Sequence, residues 1–345
     1  MAFVYADNLA LAKVLMSKKN PSGKYSLNGQ EVSYDSLNDT LQANLKEIAG
    51  TPQLWRENKN TVFSLIEQTL DTVMPKNVLD TYGMCADVTT IAQGDTMVYH
   101  RKIGEQRAKQ FVTRVALAGR YEAFELADEK FTIKTTAYGG AARIGFEEFL
   151  DGRVQWSDYL DIINEGMSEA VYKEIAKALV AAIEAFPATN KVSAANFDEA
   201  QFDRLLQTIA IYGTPTIYCT LEAAMTLLPS DNWISESMKD ERWNNGYFTR
   251  YKGFPVVVLP QSFTDETNAT KVIDPSYIYI FPTNNQKPVK IVFEGQTHVK
   301  EFENRDWSTE LQTYQKFGVG IITTNNLAVF RNKGLVIDNV PGNWD

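Results

Sequence analysis

The sequence has very little of the side-chain chemistry on which most metal centres and nucleophilic enzymes depend. Among 345 residues there are two histidines and two cysteines. His100 and His298 have no second histidine or cysteine at metal-ligand spacing, and Cys85 and Cys219 form no CxxC pair. We therefore expect no metal site, and we interpret both cysteines as reduced, buried, small hydrophobic residues.

Motifs for nucleotide binding and for acyl transfer are also missing. The sequence contains neither GxxxxGK[ST] nor GxSxG. Gly318-Val-Gly320 lacks a third glycine and a following helix, which indicates strand glycines rather than a phosphate loop. Glu147 and Glu148 are adjacent, so on a strand they would point apart and form no catalytic pair. We predict no catalytic residues, no cofactor and no enzymatic activity.

Excess positive charge and long apolar runs are absent as well. The formal net charge is −9 and the pI is about 5.0. This balance argues against general binding to nucleic acid or to an anionic membrane, because both need basic patches. No stretch is long and apolar enough to span a membrane. The first residues do not match a signal peptide, since Asp7 interrupts the apolar run and the lysines follow it.

The strongest positive signal is one long helix over residues 157–186. Its apolar residues recur at steps of three and four, which predicts a single buried face. Ser157 and Asp158 offer capping oxygens and negative charge at its start. Pro187 marks its end, because the residue before a proline avoids the helical region. The apolar positions are Tyr159, Ile163, Met167, Ala170, Val171, Ile175, Ala178, Leu179, Ala182, Ile183 and Phe186.

Before this helix, the pattern predicts two shorter helices behind a weakly structured beginning. Residues 34–49 place Leu37, Leu41, Leu45 and Ile48 on one side of a helix. Residues 55–72 form a second helix, which Pro75 is expected to end. Residues 1–50 have too little apolar surface to stand alone. We expect them to lie on another surface, either of this chain or of a neighbour.

Residues 80–125 show strand-like alternation and are locally basic. An isolated hairpin is marginally stable in water, so this ribbon is either a solvated surface feature or an arm that needs a neighbouring subunit. Its basic residues are Arg101, Lys102, Arg107, Lys109, Arg114 and Arg120. The start of the long helix is acidic instead, with Glu147, Glu148, Asp151, Asp158, Asp161, Glu165 and Glu169.

After the long helix, residues 188–285 predict an inserted α/β unit. Helices are expected over 198–212 and 221–228, with Phe202, Leu205, Leu206 and Ile209 facing inward in the first. The runs FPVVVL and YIYIF have the composition of strands buried on both faces. Long polar loops are expected at 231–250 and 261–275. Alternating strands are expected on both sides of this unit, over 131–149 with a Gly139-Gly140 turn and over 288–332.

The order of these segments resembles the major capsid proteins of tailed bacteriophages (Caudoviricetes), which have the Hong Kong 97-like fold. The most specific stretch is ELQTYQKFGVGIITTNNLAVFRN at residues 310–332, and GFPVVV at 253–258 resembles a strand of the axial domain. The resemblance implies an α+β fold in six parts. These are an N-terminal arm (1–50), the first helix and strand of the peripheral domain (51–93), an extended hairpin loop (94–125), the peripheral domain with spine helix 157–186 (126–187), an α/β axial domain (188–285), and peripheral-domain strands with a C-terminal tail (286–345).

The resemblance implies a structural protein that self-assembles as pentamers and hexamers into an icosahedral shell around a double-stranded DNA genome, without sequence-specific DNA binding. Its location would be the virion, after assembly in the host bacterial cytoplasm. Its partners would be other copies of itself, a scaffolding protein, a portal and optional decoration proteins, with no membrane. Some members cross-link an extended-loop lysine to an asparagine. Here Lys102 or Lys109 with Asn325 or Asn326 are candidates, and the sequence leaves this open.

We predict that the basic ribbon contacts the acidic helix start of a neighbouring subunit. The expected contacts join Arg101, Lys102, Arg107, Lys109, Arg114 and Arg120 to Glu147, Glu148, Asp151, Asp158, Asp161 and Glu165.

Three alternatives remain open at this point. An encapsulin-type nanocompartment shell has the same fold. A soluble enzyme with its site in residues 188–285 would be favoured by a strongly perturbed titratable group in a closed pocket. The third alternative is another virion protein or a tail-tube protein; tail proteins are usually dominated by strands, and the long helix argues against it.

Overall fold

The structure is a computed structural model, in which helices pack on one sheet and a second sheet carries its own helices. It describes residues 4–17, 24–27, 30–102, 128–144, 156–229, 234–263, 267–268, 270–283, 287–303, 309–323 and 325–335. The helices are α1 (Tyr5–Ser17), α2 (Tyr34–Ala49), α3 (Pro52–Tyr82), α4 (Trp156–Ile183), α5 (Glu199–Ala210), α6 (Leu221–Thr226) and α7 (Glu236–Asn245). The strands are β1 (Lys24–Leu27), β2 (Gln30–Ser33), β3 (Ala86–Ile91), β4 (Val98–Lys102), β5 (Asp128–Thr132), β6 (Thr136–Ile144), β7 (Lys191–Ala194), β8 (Pro215–Cys219), β9 (Arg250–Tyr251), β10 (Phe254–Val258), β11 (Tyr277–Pro282), β12 (Val289–Glu303), β13 (Thr309–Ile321) and β14 (Ala328–Asn332).

The first sheet has the strand order β3-β12-β13-β6, and its centre is the long antiparallel hairpin of β12 and β13. β3 pairs with β12 in parallel, and β6 pairs with β13 antiparallel. α3 packs on β12 and β3, whereas α4 packs on β13 and β6. Alternation along β12 sends Ile291 and Phe293 into the core beneath these helices, while Val292 joins a smaller cluster on the opposite face.

The predicted long helix is confirmed as α4. Val171, Ile175 and Ile183 are almost completely buried, in the stripe that the spacing predicted. The helix begins one residue earlier and ends three residues earlier than expected. The α2 prediction is also confirmed, because Leu37, Leu41 and Leu45 are buried there.

The prediction that Pro75 ends the second helix is wrong. α3 is a 31-residue helix that continues past Pro75 to Tyr82, so the start of the strand-like region at residue 80 is helical instead. An interior proline costs a helix about 3 kcal/mol or more. Val73, Met74 and Val78 on either side of it are buried, and this packing holds the helix together.

The beginning of the chain is more structured than expected. α1 buries Leu11, Ala12, Leu15 and Met16, and it packs on α3 and α4. The arm therefore lies on the surface of its own chain. No clear apolar stripe was visible in the sequence of this helix, because its apolar residues occur on almost every side.

The second sheet has the order β7-β14-β11-β8-β10-β9. Every residue of β11 is buried, which confirms the interpretation of YIYIF as a strand covered on both faces. Tyr279 and Phe281 face the main core, whereas Ile278 and Ile280 face a second core under α5. β10 is only half-buried, contrary to expectation, because the two-residue strand β9 is its neighbour on the outer side.

Two other local predictions are corrected. Gly139 and Gly140 lie within β6 rather than in a turn. A Cβ on Gly139 would lie 2.7 Å from the carbonyl oxygen of Thr313, so this glycine permits the close pairing of β6 with β13. The predicted strand over residues 131–149 is accordingly divided between β5 and β6.

The polar loop predicted at 231–250 contains helix α7. No residue of α7 is buried, so the sequence had no apolar stripe to show it. Its only signals were the N-cap Ser235 and the C-cap Gly246, whose φ of 81° is left-handed.

Candidate assembly surfaces

In the part of the chain that the structure describes, no group of three or more His, Cys, Asp or Glu residues is arranged to hold a metal ion. Cys85 and Cys219 are free and buried, as predicted, and burial raises the pKa of each thiol to about 12. Thiols with such a pKa are protonated at neutral pH and are poor nucleophiles.

His298 lies on β12, with its ring centre 5.2 Å from that of Tyr314, and His100 lies on β4. Among the helices that the structure describes, none combines the length and the apolar character needed to cross a bilayer.

The described strands on either side of the predicted basic ribbon are β4 and β5. These strands pair antiparallel, with Tyr99 opposite Phe131. Tyr99 is buried in the small cluster that contains Val292, and Nζ of Lys290 lies 5.3 Å from its ring centre. Because α3 and α4 cover the other face of the first sheet, the base of the ribbon lies on the face opposite the helices.

Several predicted contact residues lie outside the described part of the chain, namely Arg107, Lys109, Arg114, Arg120, Glu147, Glu148 and Asp151. Arg101 and Lys102 lie on β4, where their register partners are Glu129 and Asp128. Asp158 and Asp161 lie at the start of α4, and Glu165 is exposed further along it. The expected pairing joins two copies of the chain and stays a prediction.

The two asparagines considered for cross-linking differ in exposure. Asn325 is exposed, whereas Asn326 is buried.

Helix α6 has the reverse of the usual amphipathic arrangement. Its small residues Ala223 and Ala224 face the core. The large residues Leu221, Met225 and Leu228 are 46%, 50% and 38% exposed. Leu221 and Met225 stand four residues apart on one side of the helix. Leu228 follows two residues after the helix ends, where the sequence had predicted that the helix would continue to residue 228. We call these three residues the apolar stripe. Because large exposed apolar patches mark interaction sites, these residues are a candidate contact surface. The spacing was visible in the sequence, but only the fold shows that this stripe faces outward.

The nearby α7 displays an isolated aromatic residue. Trp243 is 90% exposed, on a helix that buries no side chain. Tryptophan is enriched at protein interfaces and among the residues that dominate binding energy. Trp243 lies in the stretch 231–250, for which the sequence predicts a polar loop.

Carboxylates of α3 accept hydrogen bonds from an irregular part of β12. The pairing of β12 with β13 loses register between Glu294 and His298. The backbone N–H and the hydroxyl of Thr297 donate to Oδ1 of Asp71 at 2.7 and 2.6 Å. The backbone N–H of Val299 donates to Oε1 of Glu67 at 2.8 Å. These bonds satisfy donors that the bulge removes from the sheet.

Glu294 lies at the start of the same bulge and is buried. Its carboxylate accepts hydrogen bonds from the hydroxyl of Thr135 and from the backbone N–H of Gly94, the latter at 2.9 Å. Nζ of Lys316 lies 3.4 Å away. These hydrogen bonds, that of Thr135 first, lower the pKa of Glu294 below its usual value.

An open groove of about 650 Å³ lies between α1, α3, α4 and residues 260–262. Asn77 of α3 donates to Asn164 of α4 at 3.4 Å, and the hydroxyls of Thr81 and Tyr172 lie 3.2 Å apart. These two contacts join α3 to α4 along the groove. The lining residues are Met16, Asn77, Asp80, Thr81, Ile162, Asn164, Glu165, Gly166, Ser168, Glu169, Tyr172, Pro260, Gln261 and Ser262. They include three carboxylates and no basic side chain. We call this feature the acidic groove.

The fold resembles solved phage capsid proteins. A subunit of the bacteriophage PhiM1 mature capsid aligns with a TM-score of 0.51 and 10% identity, over 75% of this chain and 87% of that one. The capsid of cyanophage P-SCSP1u gives 0.50 and 10%, over 72% and 86%. A phage-related protein from Bordetella bronchiseptica RB50 gives 0.50 and 12%, over 79% and 98%. The fold is therefore Hong Kong 97-like, as the resemblance implied.

The sequence identifies the family more closely. A family model described as "SPbeta prophage-derived putative capsid protein YonB" matches residues 13–331. The chain belongs to this family of capsid proteins. No protein of curated function matches the sequence. The family implies a structural role in a phage-type shell, and hence self-association and a place in the virion.

Proposed function

We propose that this protein is a major capsid protein that assembles as pentamers and hexamers into an icosahedral shell around double-stranded DNA. The observation that carries the proposal is the capsid family match over nearly the whole chain, on a Hong Kong 97-like fold. The protein acts without catalysis, and it assembles in the bacterial cytoplasm with a scaffolding protein and a portal. The acidic net charge of −9 supports enclosure of DNA without tight binding.

Two surfaces are suited to contacts between copies. The apolar stripe of Leu221, Met225 and Leu228 and the exposed Trp243 lie on the α/β unit, where they can pack against a neighbour. The basic ribbon begins at β4 and β5 and is proposed to reach the acidic start of α4 in another copy. Each such ion pair is partly exposed and contributes about 0.2–1 kcal/mol, so many are needed.

Electron microscopy of the purified protein, alone and with lysate of a phage-producing host, tests the proposal. Closed angular particles are expected, or rings, sheets and tubes if a scaffold is missing. Nuclease-protected DNA inside particles from the native source distinguishes a virus shell from a nanocompartment, which encloses protein cargo. A monomer at every salt and protein concentration, with and without lysate, contradicts the proposal.

Charge reversal in the ribbon tests the contact between copies. The variant Arg107→Glu/Lys109→Glu is expected to block particle formation, because it replaces attraction to the acidic helix start by repulsion. The thermal unfolding of the unassembled chain should not change. Lys239→Glu is the matched control, since Lys239 is an exposed lysine of α7, outside the ribbon, and pairs with Glu236 at 2.7 Å on the same helix. Normal particles from the double variant contradict the assignment.

A further inference from the structure

Two glycines of β13 leave space for the chain at β5 to lie directly on the first sheet. A Cβ on Gly318 would lie 2.5 Å from the carbonyl oxygen of Lys134, and a Cβ on Gly320 would lie 2.8 Å from the ring of Phe131. Real Cβ atoms do not approach other atoms so closely. The stretch Gly318-Val-Gly320, in which the sequence indicated strand glycines, thus permits a second layer of chain above β13. We call Gly318 and Gly320 the glycine seat.

The glycine seat is covered by Ile133, the residue that follows β5. A Cβ on either glycine would lie 2.9 Å from the side chain of Ile133. Ile133 is also buried in the small cluster that contains Tyr99 of β4 and Val292 of β12. The chain then enters the first sheet, where Thr136 begins β6 opposite Phe317. The base of the β4–β5 pair is therefore packed on the face of the sheet opposite the helices.

One buried carboxylate holds both connections of the β4–β5 pair. Glu294 of β12 is 6% exposed. It accepts a hydrogen bond at 2.9 Å from the backbone N–H of Gly94, which lies between β3 and β4. It also accepts a hydrogen bond from the hydroxyl of Thr135, which lies between β5 and β6. Because the chain enters the pair after Gly94 and leaves it before Thr135, one side chain attaches both ends of this segment to the sheet.

We propose that the glycine seat and Glu294 form a positioning site, which holds the β4–β5 pair in one orientation on the body before any neighbour is present. This inference rests on the proposed function, and it concerns contacts within one chain rather than a contact between copies. Residues 103–127 join β4 to β5, so the orientation of the pair sets where this segment starts and ends.

The benefit of such a site for assembly is entropic. An isolated two-stranded hairpin is marginally stable in water, so β4 and β5 alone would sample many orientations. Packing on the glycine seat and two hydrogen bonds to Glu294 restrict this freedom within the monomer. A segment that already has its bound orientation loses less conformational entropy on binding. The positioning site thus strengthens every contact that residues 103–127 make with another copy, without touching that copy itself.

Hydrogen exchange of the unassembled full-length chain tests the positioning site directly. Gly318→Ala places a methyl group against the carbonyl oxygen of Lys134, so the pair must move away from the sheet. Backbone amides of β4 and β5 should then exchange faster, whereas those of α3 should keep their wild-type protection, because local opening does not require global unfolding. Gly140→Ala is the matched control. It adds the same group to the same sheet, where a Cβ on Gly140 would meet no atom within 4 Å.

A second pair of variants tests the hydrogen bond to Glu294. Thr135→Val nearly keeps the shape of the side chain but removes the hydroxyl that donates, whereas Thr135→Ser keeps a hydroxyl. Exchange in β4 and β5 should rise by about 10- to 100-fold in Thr135→Val, the effect of losing a hydrogen bond to a charged group. It should stay close to wild type in Thr135→Ser. This comparison decides the inference even if Gly318→Ala does not fold.

Assembly provides the readout that a purely stabilising role would not change. Gly318→Ala and Thr135→Val should need a higher protein concentration to form particles, or should form open and irregular ones, under conditions in which α3 keeps its wild-type protection. Gly140→Ala and Thr135→Ser should assemble like the wild-type chain. Electron microscopy and sedimentation velocity measure both properties.

Three results would overturn the inference. The first is unchanged exchange in β4 and β5 in both Gly318→Ala and Thr135→Val. The second is an equal rise of exchange in α3, which would make these residues part of the general stability of the monomer. The third is normal assembly of chains in which exchange of the pair is raised. A wild-type chain that never assembles contradicts the proposed function instead, and the exchange measurement still decides whether the site holds the pair.

Discussion

The two long helices of the body, α3 and α4, use their acidic side chains in different ways. On α3, Glu67 and Asp71 accept hydrogen bonds from the backbone of β12 inside the same chain. On α4, Glu165 is exposed and Glu169 lines the acidic groove. Carboxylates of α3 thus complete the fold. On α4, Glu169 has no partner among the described residues, and Glu174 pairs with Lys177 on the helix itself at 2.7 Å.

This difference shows which helix is central to the monomer. α3 packs on α1, α2, α4, β3 and β12. Its polar residues also attach it to β12. Nε1 of Trp55 donates to Glu301 at 3.1 Å, and Lys59 pairs with that glutamate at 3.0 Å. α4 packs on the sheet through its apolar stripe and keeps its acidic side toward solvent. We infer that α3 mainly stabilises the monomer and that α4 mainly supports assembly.

The largest effect on stability is expected at Asp71. Asp71→Ala removes the acceptor of two donors on Thr297, which is 1% exposed, so both would be left unsatisfied. The free energy of unfolding should fall by about 2–4 kcal/mol, because each buried unsatisfied donor costs about 1–3 kcal/mol. Urea unfolding of the unassembled chain measures it. A loss below 0.5 kcal/mol would show that α3 does not hold the bulge.

The sequence predicted the positions of these helices better than their roles. The stripe on α4 identified the helix and its buried face, because apolar spacing records burial directly. Pro75 and the many-sided burial of α3 hid the length of the more central helix. The partners of Glu67 and Asp71 lie more than 220 residues away, across contacts that periodicity does not encode.

The candidate contact surfaces also depend on tertiary contacts that the sequence pattern does not encode. The spacing of Leu221, Met225 and Leu228 was readable in the sequence, but whether such a stripe faces a core or solvent depends on the tertiary fold. The charge pattern of the ribbon and of the α4 start was visible throughout. The groove, by contrast, arises only where α1, α3, α4 and residues 260–262 meet.

A smaller effect is expected at Glu67. Glu67→Gln keeps an oxygen that can accept from the N–H of Val299 and removes only the charge. The free energy of unfolding should fall by about 0.5–1.5 kcal/mol, the difference between charged and neutral acceptors. Urea unfolding of both variants shows whether Glu67→Gln loses less unfolding free energy than Asp71→Ala. A larger loss at Glu67 than at Asp71 would place the main attachment of β12 elsewhere along α3.

The pH dependence of stability should contain a contribution from Glu294. Its hydrogen bonds lower its pKa in the folded state, so the stabilisation is fully present above pH 4.5, the ordinary value for glutamate, and is lost as the pH falls through the lower folded-state pKa. Glu294→Gln should lower stability at pH 7, where the contribution of the charged carboxylate is fully present, and should flatten the acid limb. Thermal unfolding from pH 7 to pH 3 measures both. An unchanged acid limb would show that Glu294 does not contribute to it.

The smallest effect on stability is expected on α4, at Glu169. Because this carboxylate has no partner among the described residues, Glu169→Gln should change the free energy of unfolding by less than about 0.5 kcal/mol, as is usual for surface substitutions. Particle formation should nevertheless require a higher protein concentration, which sedimentation velocity measures. Asp71→Ala is expected to do the opposite, because it lowers the free energy of unfolding of the unassembled chain. If Glu169→Gln destabilised the unassembled chain by 1 kcal/mol or more, its carboxylate would be part of the fold, and the division of roles between α3 and α4 would not hold. A stable chain with impaired assembly would instead place the requirement for Glu169 between copies, as the proposed contact of the acidic helix start predicts.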